Sequence, residues 1–291
     1  YHPLDASLGE IAAGYSTSDF EFIELKNISD SLTLDLTELR FTKGVDFDFD
    51  RGTITSLPPG AYVLVVSNTS AFESRHSGGL PIAGEWQRGD KLDNGGENLK
   101  LSFGAGAAIH EFIYDDGQPW PDSPDGDGPG LVLIAPDSAP DHANPLSWRP
   151  SLAIAGTPGA SDATTFVGDS NADADNDGSN AFLEYFLGSS DAVGNSDGLP
   201  TITRGFFDDG TGTVRQYPTF SFQINLAADD VTYKIQRSTS LDTGIWTSAP
   251  AVAYVSMTDN GDGTATLVWR STTPISDLPR EFFRLLVQER P

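Results

Sequence analysis

Leu57-Pro58-Pro59-Gly60-Ala61-Tyr62-Val63-Leu64-Val65-Val66 decides the fold class. Two prolines and a glycine in succession cannot continue a helix or a central strand, so 57–60 reads as a turn. The run behind it is apolar, rich in β-branched residues and short, which predicts a buried strand over 61–66. Outward from this stretch the pattern repeats. Glu21-Phe-Ile-Glu-Leu25, Leu99-Lys-Leu-Ser-Phe103 and Ile109-His-Glu-Phe-Ile-Tyr114 alternate, and Gly130-Leu-Val-Leu-Ile134 adds a further strand. Ser77-Gly-Gly79, Asp93-Asn-Gly-Gly96 and Asp115-Asp-Gly117 are turn clusters between them. Further on, Pro218-Thr-Phe-Ser-Phe-Gln-Ile224, Val231-Thr-Tyr-Lys-Ile-Gln-Arg237, Ala265-Thr-Leu-Val-Trp269 and Phe282-Phe-Arg-Leu-Leu-Val287 form a second, smaller set of strands. The expected fold is all-β, with β-sandwich domains at 1–160 and 198–291 joined by residues 161–197.

The joining stretch carries the sharpest chemistry. Asp173-Ala-Asp175-Asn-Asp177-Gly178-Ser179-Asn-Ala181-Phe-Leu-Glu184 matches the calcium-loop template D-x-D-x-D-G-x5-E. Hard cations want six to eight oxygens at about 2.3–2.6 Å, and alternate carboxylates in a tight loop converge on one point. The template makes Asp173, Asp175 and Asp177 side-chain ligands, Ser179 a carbonyl ligand, Ala181 a position served by water and Glu184 the bidentate closure. An Asp-rich, Gly-containing segment is also an ordinary solvated linker, but the number of filled positions favours Ca2+. Phe182, Leu183, Phe186 and Leu187 then share a helical face, and Gly188 stops the helix. Residues 161–168 have no apolar helical period, so the unit is half an EF-hand.

Composition bounds the function. There are 291 residues, 17 Lys plus Arg against 42 Asp plus Glu, a net charge of −25 and no cysteine. Such a field disfavours nucleic acid and anionic lipid and draws cations or basic partners. No apolar run of about 18 residues is present, so no membrane insertion is expected. Acidity combined with one calcium loop suits an extracellular setting, where calcium is plentiful. Opening on Tyr1-His2-Pro3, the chain reads as a piece of a larger secreted protein.

Two resemblances sharpen these expectations. The loop and helix resemble the single loop-helix units of dockerins and the Asp-rich repeats of thrombospondin type 3 segments, over about twenty residues. Tyr1-His-Pro3, Glu21-Phe-Ile-Glu-Leu-Lys-Asn27, Leu34-Asp-Leu36 with Leu39-Arg-Phe-Thr42, Leu57-Pro-Pro-Gly60, Leu92-Asp-Asn-Gly-Gly-Glu97, Pro119-Trp-Pro121 and Gly156-Thr-Pro-Gly159 occur in the order seen in bacterial lamin-tail domains. The resemblance covers roughly residues 1 to 160 and implies a non-catalytic, immunoglobulin-like sandwich found beside hydrolases and nucleases in large secreted proteins. Such domains begin with a strand before the Tyr-His-Pro turn, so an edge open to strand addition is expected here. More loosely, residues 198–291 with the calcium unit ahead of them resemble the C-terminal end of large bacterial surface proteins.

Catalysis finds little support in the residue pattern. His2, His76, His110 and His142 are scattered, without an H-E-x-x-H motif, and no G-x-S-x-G elbow occurs. The second-position histidine suits a turn better than an amino-terminal copper site. Glu21 with Glu24, or Asp115 with Asp116, could serve acid–base chemistry only if held about 5–10 Å apart across a cleft. The loop 122–128 is a connector that could also bind a second cation, and Asp169 with Asn171 could supply an offset one. Asp208-Asp-Gly-Thr-Gly212 and Asp259-Asn-Gly-Asp-Gly263 read as hairpin turns. Of Trp86, Trp120, Trp148, Trp246 and Trp269, Trp120 is the one expected to be exposed, although tryptophans in sandwiches are mostly packing residues. The expected function is a non-catalytic extracellular structural or adhesive module, with calcium stiffening the joint between its domains and other copies or a surface polymer as partner. The alternative is a carbohydrate- or protein-binding accessory of a secreted hydrolase.

Overall fold

The computed structural model describes all residues except 77, 195–197, 243 and 279. Ser77 of the expected 77–79 turn, and the last three residues of the expected 161–197 segment, therefore lie outside the described residues. The chain is mostly β and divides into two units, Tyr1–Asp162 and Ala163–Pro291, so the calcium-loop sequence falls inside the second.

The first unit contains β1 (Phe22–Lys26), β2 (Leu34–Asp35), β3 (Leu39–Lys43), β4 (Phe47–Asp48), β5 (Ser56–Leu57), β6 (Tyr62–Val66), β7 (Ile82–Glu85), β8 (Asn98–Phe103), β9 (Ala107–Ile113), β10 (Pro129–Leu133) and β11 (Trp148–Ile154). Its two larger sheets run in the orders β1-β6-β7 and β4-β3-β8-β9. Strand β6 is the central element, and both of its faces are covered. Val63 and Val65 join Phe41, Phe47, Ala83 and Leu101 in the main core, while Leu64 and Val66 pack with Phe72 on the other side. Side chains alternate along a strand, so covering both faces requires an unbroken apolar run rather than alternation.

Phe72 belongs to helix α2 (Thr69–Arg75), which lies in the connection from β6 to its parallel neighbour β7. A parallel pair cannot be closed by a tight hairpin, and α2 occupies the crossover. The seven residues of this helix are too few to show a helical period in the sequence. Asn68 caps it, accepting from the Ala71 N–H at 3.1 Å. A second short helix, α1 (Leu8–Ala12), starts at a Ser7/Glu10 capping box. Arg75 of α2 reaches Glu10 of α1 at 2.7 Å, and that bond holds the Glu10 carboxyl at about 2, well below the usual range.

Residues far apart in the sequence meet around β1. The Glu24 carboxylate accepts from the Gly159 N–H at 2.5 Å, and Glu21 accepts from the Leu92 N–H at 2.8 Å. Asn27 donates to the Leu57 carbonyl at 2.8 Å. Burial pushes both glutamates up to about 7, with the backbone donors opposing the shift. Glu21 and Glu24 lie three positions apart on extended chain and so project to opposite faces. They cannot share a substrate as an acid–base pair.

The second unit contains β12 (Thr201–Asp208), β13 (Val214–Asn225), β14 (Val231–Ser238), β15 (Val252–Asp259), β16 (Thr264–Ser271) and β17 (Phe282–Glu289). One sheet runs β12-β13-β16-β15 and the other pairs β14 with β17. Phe220, Phe222, Val252, Met257 and Leu267 of the first sheet share one core with Val231 and Ile235 of the second. The 208–212 and 259–263 segments turn between paired strands, as expected. Helix α3 (Ala181–Leu187) adds Phe182, Phe186 and Leu187 to the same core.

Two measurements check this architecture. Phe222→Ala empties a site that is 2 % exposed and should lower the unfolding free energy by about 3–5 kcal/mol in a urea titration. Glu21 and Glu24 have an ordinary value of 4.5 and a folded value of about 7, so the folded state keeps their protons longer as pH rises. Their contribution to stability is therefore present below pH 4.5 and lost on raising the pH to about 7. Glu24→Gln should flatten the stability profile across that window in pH-dependent thermal melts.

Candidate metal centre

A seven-residue helix is marginal in isolation, so α3 needs outside support at both ends. At its start the Asn180 side chain accepts from the Leu183 N–H at 2.9 Å. At its end Asn225 and Gln223 of β13 donate to the carbonyls of Tyr185 and Leu187, at 3.1 and 3.0 Å. Gly188 closes the helix at φ +74°, where a Cβ would come within 2.7 Å of Thr264. Residues 161–172, all of them described, form no helix ahead of the loop. The incoming chain is tied down instead: the Phe166 N–H donates to Asp230 at 2.7 Å, and the Tyr185 hydroxyl donates to the same carboxylate at 2.8 Å. The Phe166 ring meets Phe182 edge-on at 5.2 Å.

Between these fixed ends the loop turns tightly. Asn176 and Gly178 take positive φ, at +63° and +96°, the conformation asparagine and glycine adopt most readily. The carboxylates gather the backbone around themselves. Asp173 accepts from the N–H groups of Asp177 and Gly178, both at 3.2 Å, and Asp175 accepts from Asp177 at 3.1 Å. Asp177 accepts from Ser179 at 2.8 Å. One oxygen each from Asp173, Asp175 and Asp177 lies within 4.8 Å of the others, an arrangement that can hold a metal ion. Among the described residues this is the only such group.

Glu184 stands outside that trio but bears on it. It is 2 % exposed, and its Oε2 is buried without a hydrogen-bond partner. Its Oε1 accepts only a 3.2 Å bond from the Ser189 hydroxyl. Burial raises the Glu184 carboxyl above the ordinary carboxylate range, the Ser189 bond opposes this, and the charges of Asp175, Asp177 and Asp191 push it further up. Asp175 likewise has a buried oxygen, Oδ2, without a partner. Unpaired anionic oxygens are costly to enclose, and a cation among them removes the cost. Ser179 is buried at the seventh loop position, and Ala181 opens α3.

Asp191 was not singled out by the template, which ends at Glu184. Its Oδ1 accepts from the Ala174 N–H at 3.0 Å, so the turn after α3 folds back onto the loop. Gly194 follows it there, and a Cβ on Gly194 would sit 3.5 Å from that of Asp177. The only sequence signal is an acid shortly after the helix stop, in a chain with 42 acids.

The other candidates resolve differently. His2 pairs with Asp125 at 2.5 Å, joining the start of the chain to the 122–128 loop. Asp169 accepts from the Asn171 N–H at 2.9 Å in a turn. Trp120 is 5 % exposed and packs near Trp148, at 6.1 Å between rings. The expectation that flanking prolines would project Trp120 into solvent is thus overturned by aromatic packing. None of the five tryptophans is exposed, and Arg284 lies over the Trp246 ring at 4.5 Å. Among the described residues no helix is long and apolar enough to cross a membrane. Comparison with models of protein families, with curated proteins and with solved structures finds no match.

Glu184→Gln tests the electrostatic account. In excess chelator the variant should melt a few degrees above the wild type, because a repelled, partnerless charge is gone. A lower melting point under those conditions would show that the carboxylate is satisfied by the protein alone.

Proposed function

We propose that this chain is a non-catalytic, extracellular structural or adhesive module whose second unit is held together by a bound Ca2+. The buried, partnerless Glu184 oxygen beside three convergent aspartates carries the reading. Calcium suits the donor set, which is all oxygen, carries at least four carboxylates and sits in a loop that can adjust its bite. Asp173, Asp175 and Asp177 would contribute side-chain oxygens, Ser179 its carbonyl and Glu184 the closing carboxylate. The ion would neutralise the cluster and fasten α3, and with it three core residues, to the β-sheets. The site lies just beyond the division between the units, so its first effect is on the chain entering the second.

The lamin-tail reading of residues 1–160, with an immunoglobulin-like sandwich, is proposed on the meeting of its motifs: Glu24 with Gly159, Glu21 with Leu92, and Asn27 with Leu57. Assembly with further copies is favoured by β12, an edge strand whose Ile202 and Phe206 are 58 % and 70 % exposed. Residues four apart on a strand face the same way, and an unpaired apolar edge is a site for strand addition.

The test is thermal unfolding and sedimentation of the whole chain in millimolar CaCl2 and in chelator. Calcium at a hundredfold excess over Kd should add about 2.7 kcal/mol of stability. Phe206→Lys should reduce any self-association while leaving the calcium shift intact. A melting point and sedimentation coefficient indifferent to the chelator would refute the calcium-held module.

A further inference from the structure

We infer that β12 docks against β12 of a second copy of this chain, antiparallel about a two-fold axis at Phe206, so that two four-stranded sheets join into one of eight strands. The inference rests on the reading of β12 as an assembly edge and adds the occupant's orientation, its register and the point where assembly stops. Strand β12 ends its sheet. Ile202, Arg204, Phe206 and Asp208 alternate along it onto one face, and all four are exposed. That face is the core side of the sheet. Ile202 stands opposite Phe220, which is buried and stacks on Phe283 of β17 at 5.7 Å. Phe206 and Asp208 stand opposite Gln216 and Val214. Only β14 and β17 form the covering sheet, and it stops short of the β12 edge, because Val214 is exposed along with Ile202 and Phe206. An apolar strip on the inner face of a sandwich is thus left open at an unpaired edge.

The strand is complementary to its own reverse. A chain of net charge −25 repels its copies, so a self-contact has to be neutral where it forms. Thr201–Asp208 carries one arginine and one aspartate, Arg204 and Asp208, placed symmetrically about Phe206. Pairing Phe206 with Phe206 of the second copy therefore sets Arg204 against Asp208 twice, once in each direction. Among the described residues Arg204 has no ion pair or hydrogen bond, and Asp208 engages its own turn through Oδ1 alone. The other face agrees. There Gly205 meets Phe207 of the second copy, and Gly205 already makes room for Phe207 of its own strand, whose ring a Cβ would strike. An antiparallel two-fold pairing keeps like faces together and so centres on a residue. Centred on Arg204, two arginines oppose; centred on Gly205, Ile202 faces Asp208; centred on Phe207, Phe206 faces Asp208. Aromatic pairs and opposite charges across strands stabilise, and like charges directly opposite destabilise, which selects the Phe206 register. A two-fold contact consumes the same edge of both copies, so assembly through β12 ends at a dimer.

The experiment uses the whole chain in millimolar CaCl2. Because the chain has no cysteine, single introduced cysteines report the register by disulfide trapping under mild oxidation. Phe206→Cys should give a covalent dimer on a non-reducing gel, since directly opposed Cα atoms are about 4.5–5.5 Å apart, within disulfide range. Ile202→Cys and Arg204→Cys should not, their equivalents lying about 26 and 13 Å apart along the strands. Sedimentation of the wild type should show a monomer–dimer equilibrium. Arg204→Glu should weaken it by about tenfold or more, and Lys234→Glu, the same charge change at an exposed site on β14, should not. All these positions are exposed, and melting points matching the wild type check that each variant folds. Trapping strongest at 202 or 204, growth past a dimer that Phe206→Lys abolishes, or equal effects of Arg204→Glu and Lys234→Glu would overturn the two-fold register and leave assembly through β12 standing. A chain that stays monomeric, with no position trapping, overturns the inference and the β12 assembly reading together, while the calcium-held module keeps its own test.

Discussion

The second unit depends on where one carboxylate has been put. Helix α3 must turn Phe182, Phe186 and Leu187 into the core, and Glu184, three residues before Leu187, is carried onto the flank of that buried face. A lysine or serine there would leave the loop with three exposed aspartates and an ordinary solvated character. Glutamate instead places charge where water does not reach it and where the nearest groups are also anionic. The charges of Asp175 and Asp177 act on it, so loop conformation and the electrostatics of Glu184 are set together. Everything that positions the loop, from the Phe166 and Tyr185 anchors on Asp230 to the β13 amides on the helix carbonyls, acts on that one oxygen.

The first unit turns on a different constraint, the double-sided burial of β6. Covering Val63 and Val65 takes the β3-β4-β8 side, and covering Leu64 and Val66 takes α2. The parallel β7 follows from this, because the helix lies in the crossover that a parallel neighbour demands. Hydrogen bonds then lock distant segments onto β1 through two glutamates that give up part of their ionisation on burial.

Strands of the alternating kind were legible because their period is local, as was the run at 61–66. So were the gathering of Asp173, Asp175 and Asp177 and the helix stop at Gly188, each written within a few consecutive residues. The two short helices of the first unit left signals at Ser7/Glu10 and Asn68, but their periods are too brief to outweigh a surrounding strand pattern. The β6–β7 pairing, the Glu24–Gly159 bond and the burial of Trp120 depend on partners far away in the sequence, and composition around each residue carries no trace of them. Asp191 lies between these cases: near the loop in sequence, yet joined to it only by a turn whose direction the sequence does not announce.

Acidity explains less about partners than the net charge suggests, because much of it is turn chemistry. Asp208 accepts from the Gly210 and Gly212 N–H groups, Asp259 from Gly261, Asp115 from Gly117 and Asp93 from Gly95, all close in sequence and all at exposed turns. Each is an aspartate whose side chain stands in for a missing backbone acceptor, the ordinary reason for aspartate in a turn. Loop 173–184 uses the same bonds, so neither its aspartates nor its hydrogen bonds distinguish it from those hairpins. The difference is that the hairpin carboxylates spend their charge toward solvent, whereas here Glu184 and Asp175 keep buried oxygens that no protein group satisfies. A carboxylate oxygen enclosed without a partner is costly, and the three aspartates beside it are close enough together to hold a metal ion.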